Sequence, residues 1–158
     1  MWSNLNSWTS PCPLKYGPGL KAEMVKQEII QAAVTLGQKL EHVFVATADS
    51  EGLPHVATAG RLSLRKDRLV AVAAWFCPGT VMNLRHNPKV SLVMWDSEAD
   101  AGYQLLGNVE KVKETAMLDG YIPEIEGKGP SPQVERELIV RVDKVIAFSH
   151  APHSDLEG

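Results

Sequence analysis

Apolar positions along the chain fall into two rhythms, and the switch between them marks out the elements. Between Lys21 and Leu40 they recur at three- and four-residue steps: Val25, Ile29, Ala32, Ala33, Leu36 and Leu40 make one stripe, with Lys26, Gln27, Gln31 and Lys39 on the other sides. That spacing predicts an amphipathic helix. Gly37 weakens its last turn, since glycine costs about 1 kcal/mol relative to alanine in a helix. From His42 the rhythm shortens. His42 to Ala48 reads as a strand, Asp49-Ser50-Glu51-Gly52 as a hairpin turn with a glycine for positive φ, and Pro54 to Leu64 as the return strand. Lys66-Asp67 then turns the chain into LVAVAAWF, an apolar run of the length and branching of a buried strand.

Cys77, Pro78 and Gly79 break that run. Thr80 is placed to cap a short helix carrying Val81, Leu84 and Arg85, and Asn87-Pro88 ends it, because proline disfavours helical backbone in the residue before it. VSLVMW is the next strand, Asp96 to Ala101 a polar loop, and Gly102 to Lys113 a further strand with Gly107 as a bulge or corner. Thr115 to Tyr121 reads as a short helix, Pro123 to Gln133 as a mobile loop and Glu137 to Phe148 as the last strand. Six strands on short turns, one main helix and two short ones predict a mainly β domain with flanking helices, its antiparallel sheet curled into a closed or partly closed barrel.

Composition narrows this little. A chain of 158 residues makes one domain with a real core. Residues 1–20 form an arm whose Trp2 and Trp8 are expected to dock on another surface, 21–149 the domain, and 150–158 a polar, ragged tail. The net charge of −3 argues against a nucleic-acid partner, which calls for a basic stripe. No apolar run approaches the roughly 20 residues of a membrane helix. With no charged-then-apolar leader, and with Cys12 and Cys77 far apart and read as reduced thiols, the expected compartment is the cytoplasm.

The candidate chemistry lies between Leu69 and Asp96. Strand, Gly-Thr turn, short helix and strand aim the free N–H groups of a helix start at an anion. Taken alone, Gly79-Thr80 is an ordinary helix cap, and the small residues of VATAG serve tight packing or let main chain approach a flat ligand. Trp75 and Trp95 read as core or dimer-interface aromatics, Cys77 as an inert buried thiol, and His55 as a residue within reach of a substrate. His150 and His153 lack a third ligand, so no metal site is expected. No spacing names a catalytic acid, base or nucleophile.

Three words in order, FVATADSEGLPHVATAG, VAVAAWFCPGTVMNLRHNPKVSLVMWD and GYQLLGNVEKV, resemble the FMN-binding split-barrel family, the pyridoxamine 5′-phosphate oxidase-like flavoproteins. The likeness runs roughly from His42 to Lys113. It implies a six-stranded antiparallel split β-barrel, homodimeric, with FMN at the subunit interface. It also implies an oxidoreductase or electron-transfer role toward a small redox substrate or a partner protein. By the same resemblance Ala57, Thr58, Ala59 and Gly60 lie along the flavin ring and Ala73 and Ala74 beside it. Gly79 and Thr80 would hold the phosphate, Asn83 would come from the following helix, and Gln104 from the partner subunit. The chain departs from true pyridoxamine phosphate oxidases, which place an Arg-Lys pair where Gly79-Thr80 stands, a lysine near the position of Leu62, and an Arg/Trp-bearing segment where this chain has HAPHSDLEG. Vitamin B6 oxidation is therefore not expected, and Arg61 and Arg85 are the candidates to replace the lost charge. Two alternatives stay open: a deazaflavin or haem ligand in the same fold (His55 or His86 being the axial candidates for haem), and a non-catalytic dimeric interaction module.

Overall fold

The elements follow in the order α1 (Gln27–Leu40), β1 (Val43–Ala48), β2 (Pro54–Ala59), β3 (Arg61–Leu64), β4 (Leu69–Ala74), α2 (Pro78–His86), β5 (Lys89–Asp96), β6 (Ala101–Met117), β7 (Val134–Ser149) and β8 (Ser154–Glu157). They belong to a computed structural model, which describes residues 27–74, 78–117, 134–150 and 154–157. What the sequence led us to expect of the N-terminal arm, of Trp75 and Cys77, of the 123–133 loop and of His153 lies outside the described residues.

All the strands join one antiparallel sheet in the order β2-β1-β5-β6-β7-β4-β3, with β8 on the far end of β7. β2 and β3 are neighbours in the chain, yet they occupy the two opposite ends of that order. Only Gly60 separates them. The sheet must therefore curl until its two edges come together at this residue, and no ladder joins β2 to β3 among the described residues. The result is a split barrel.

The long strands β6 and β7 make the bend possible. Their pairing shifts register at Leu106/Gly107, Val109/Lys111 and Glu114/Ala116, and such irregularities let a sheet turn without losing its ladder. Inward-facing side chains alternate with outward ones, as period-2 patterning requires. Val43, Val45, Leu62, Val70, Val72, Leu92, Met94, Leu105, Leu138 and Val140 form one buried core, into which α1 sends Ile30, Ala33 and Val34. Gly37 has a use the helix pattern did not show. A Cβ there would stand 2.3 Å from Leu62 Cδ1, so its absence lets α1 settle onto β3. The 49–53 hairpin is closed by the Asp49 carboxylate, whose Oδ1 accepts the N–H groups of Glu51 and Leu53 at 2.9 and 2.8 Å, and Gly52 takes φ 88°.

Four expectations need correction. The single strand foreseen over 54–64 is two strands divided at Gly60, because the curl carries each half to a different edge. The short helix foreseen from Thr115 is, as far as Met117, a continuation of β6, held by pairing of Ala116 and Met117 with Glu135 and Val134. The helix expected to start after Thr80 starts at Pro78, whose fixed φ and missing N–H suit the first helical position. Part of the tail expected to be ragged is β8, paired with residues 146–149 of β7.

Candidate functional site

A cleft opens where the two edges of the sheet meet. Thr58 and Ala59 end β2, Gly60 makes the crossing, and Ala73 and Ala74 end β4. Together with Glu41, His42, Arg61 and Glu135 they line a hollow of about 450 Å³. It shares Glu41, Gly60, Arg61, Ala73 and Glu135 with a larger one of about 720 Å³, which runs along β3 past Ser63 and Ala71 to Thr115, Glu137 and Gln38. The two form a continuous trough. Pairing explains its floor: Arg61 lies opposite Ala73 and Ser63 opposite Ala71, while Ala73 faces Glu137 on its other side. Small residues on adjacent strands leave main chain accessible. Gly60 adds to this, since even a Cβ there would meet nothing nearer than Glu41 O at 3.6 Å.

Charge is concentrated on one wall. Glu135 and Glu137 stand two residues apart on β7, hence on one face, with side chains only 15% and 16% exposed. Arg61 pairs with Glu135, and Thr115 Oγ1 donates to Glu135 Oε2 at 3.0 Å. Glu137 takes Arg65 Nη2 at 2.9 Å and Lys113 Nζ at 3.6 Å. Away from the cleft, Lys39 Nζ donates to Asp96 Oδ2 at 2.9 Å, and Asp96 Oδ1 accepts from Glu98 N and Ala99 N. These hydrogen bonds, that from Lys39 foremost, hold the Asp96 carboxyl below the usual carboxylate range. The same partner raises the Lys39 ammonium above its ordinary value.

Of the ten anticipated site residues, nine were expected from one subunit and Gln104 from its partner; within one chain they lie in four places. Thr58, Ala59, Gly60, Ala73 and Ala74 converge on the cleft. Ala57 precedes them on β2, opposite Val45, and is absent from the lining. Gly79, Thr80 and Asn83 lie on α2, which packs on β1 and β2. There Thr80 is fully buried, Asn83 Nδ2 donates to Thr47 Oγ1 at 3.1 Å, and Gly79 sits beside the His55 ring. Gln104 is on β6, where its Nε2 donates to Ser91 Oγ at 2.9 Å. Sequence reasoning missed Gln38, Ser63, Thr115, Glu135 and Glu137. A readable signal existed for the last two: carboxylates at alternate positions leading directly into the apolar run Leu138-Ile139-Val140. Trp95 stacks on Phe148, with ring centroids 5.4 Å apart. No cluster of metal-ligating side chains occurs among the described residues.

A sheet curled on itself, plugged by one helix and leaving a small-residue trough at its seam, defines the split-barrel class of flavin-binding folds. Residues 29–145 match the family model of pyridoxamine 5′-phosphate oxidase, and the chain belongs to that family. An uncharacterized protein of Methanocaldococcus jannaschii is 28% identical over 116 residues, which cover 71% of this chain and 76% of that one. Among solved structures, a Clostridium acetobutylicum protein related to general stress protein 26 of B. subtilis (pyridoxinephosphate oxidase family) superposes with TM-score 0.60 at 17% identity, covering 85% of this chain and 96% of that one. A pyridoxamine 5′-phosphate oxidase-related, FMN-binding protein of Nostoc punctiforme gives 0.56 at 12% identity, over 79% and 84% of the two chains. An F420 reductase gives 0.50 at 14% identity, over 70% and 93%. At such identities these structures speak to the fold alone.

Proposed function

We propose that this protein is a flavoprotein whose cofactor, FMN, lies in the trough at the sheet's seam. The observation that carries the reading is the convergence of Thr58, Ala59, Gly60, Ala73 and Ala74 on one cleft, in a chain of a flavin-binding family. A planar, largely apolar ring needs floor residues that keep out of its way, and backbone N–H and C=O groups then read its polar edge. FMN, when bound, supplies the redox chemistry. The chain's own residues position it and exclude water, and none of them is needed as an acid or base. The substrate class is a small redox-active molecule or an electron-transfer partner, in the cytoplasm. Vitamin B6 oxidation is set aside because Gly79-Thr80 replaces the Arg-Lys pair of the true oxidases.

The same reading makes the protein a homodimer covering the cofactor from both sides. In support, Phe44 and Val56 stand on the outer faces of β1 and β2, 37% and 59% exposed. Phe44 lies opposite Val93 across the β1–β5 ladder, and Val56 lies opposite Ala46, the next residue on that face of β1. The cofactor-binding unit runs from the first helix through β7, with β8 added at its edge. No helix among the described residues is long and apolar enough to cross a membrane.

The test is uptake. Purified protein incubated with FMN should turn yellow after desalting and melt at a higher temperature, because a ligand that binds only the folded state stabilises it. A melt indifferent to FMN and a colourless protein would end the assignment. A deazaflavin is the competing ligand for the same fold, and the same titration distinguishes it.

A further inference from the structure

The trough has a charge problem that its geometry also answers. Among the described residues, its lining brings three carboxylates, Glu41, Glu135 and Glu137, against one Lys or Arg side chain, Arg61. Yet FMN and deazaflavin cofactors are anionic. The helix start expected to meet the phosphate offers no hydroxyl to it, because Thr80 is fully buried at the third position of α2. Arg61, in contrast, lines both halves of the trough and its side chain is 71% exposed. Building on the flavin reading above, we propose that Arg61 is the anion-recognition residue of this cleft, and that it exchanges Glu135 for the phosphate of the incoming ligand.

Three features support the exchange. An ion pair with one partner this exposed adds little stability, so giving it up costs little. A phosphate offers a guanidinium the two parallel hydrogen bonds that suit its planar fork. Glu135 is not orphaned when Arg61 leaves, because Thr115 Oγ1 still donates to its Oε2 at 3.0 Å. Nor does Glu137 compete for Arg61, since Arg65 and Lys113 already hold it. Glu135 thus keeps the guanidinium at the mouth of an acidic trough until a better acceptor arrives.

The experiment compares FMN with riboflavin, which lacks the phosphate, in the wild type, Arg61→Gln and Glu135→Gln. The expected result is that R61Q lowers FMN affinity about tenfold and leaves riboflavin unchanged, whereas E135Q raises FMN affinity several-fold and again spares riboflavin. Equal losses of both ligands in R61Q, or no change in either, would overturn the proposal. A second arm stands apart from flavin binding. Inorganic pyrophosphate titrated into the wild type should shift the NMR signal of the Arg61 Nε–H group, and an unresponsive signal overturns the role of Arg61 even if flavin binds. Should Arg61 respond to pyrophosphate while no flavin is taken up, the flavin reading fails and the anion site stands.

Discussion

Gly107 gives the sharpest test of how the sheet is bent. Leu106 pairs with Lys144, but Gly107 pairs with Val142, so Asp143 is the extra residue of a bulge pressed against the glycine. A Cβ on residue 107 would lie 2.0 Å from Arg141 O, 2.9 Å from its carbonyl carbon and 3.2 Å from Val142 Cα. Relieving the shortest of these to an ordinary 3.4 Å contact requires β6 and β7 to part by about 1.4 Å. The obstructing atoms are main chain and have no rotamer to escape into. Overpacking of this kind costs about 1–3 kcal/mol, and a stretched ladder hydrogen bond adds about 1 kcal/mol. Gly107→Ala should therefore lose about 3 kcal/mol. At about 3–4 °C per kcal/mol for a domain of this size, its Tm should fall by about 10 °C. Gly37→Ala is the control. There the nearest atom is a side-chain tip, Leu62 Cδ1, which can rotate, and alanine gains about 1 kcal/mol of helix propensity, so the loss should be much smaller. Paired urea and thermal melts decide the matter. A Gly107→Ala protein melting within about 2 °C of wild type would refute the account of the bulge.

Gly60→Ala should leave stability within about 0.5 kcal/mol of wild type, since a Cβ there makes only a 3.6 Å contact, while a methyl on the cleft floor should weaken flavin binding about tenfold by fluorescence titration. Val56→Glu, on the exposed outer face, should leave the protomer folded by circular dichroism and raise the dimer dissociation constant at least about tenfold in sedimentation experiments. For Asp96→Asn, pH is the variable. Because the folded-state carboxyl is held below its unfolded value, its contribution is fully present above about pH 4 and is lost as pH falls through the depressed folded value. The stability gap between wild type and variant should thus be constant near neutrality and narrow in acid. Lys39 acts at the other end, its contribution fully present below about pH 10.5 and lost as pH rises through its raised folded value, so a gap that widened in acid would contradict the pairing.

Much of the fold could be read locally. The stripe from Ile29 to Leu40 and the alternation of VSLVMW are each settled within a few residues, and Gly107 announced a bulge because a central strand rarely carries a glycine without one. What escaped was decided at a distance. Alternation in PHVATAGRLSL is regular only from Gly60 onward, and nothing local shows that Ala59 ends at one edge of the sheet and Arg61 begins at the other. Thr115 to Met117 have a plausible helical reading until Glu135 and Val134 arrive to pair with the last of them. The cleft divides in the same way. Its floor of small residues was visible in VATAG and AVAA, but its acidic wall comes from some 74 positions further along, as the Arg61–Glu135 pair shows.

The crossing at Gly60 has one more consequence. Because both rims of the sheet are consecutive lengths of a single strip, neither can peel away without dragging on the other, and any loosening of the barrel has to hinge at that residue. A guest resting across it would act as a rivet through both leaves. Its arrival should slow amide exchange along the whole of Pro54 to Leu64 at once, including at positions it never touches.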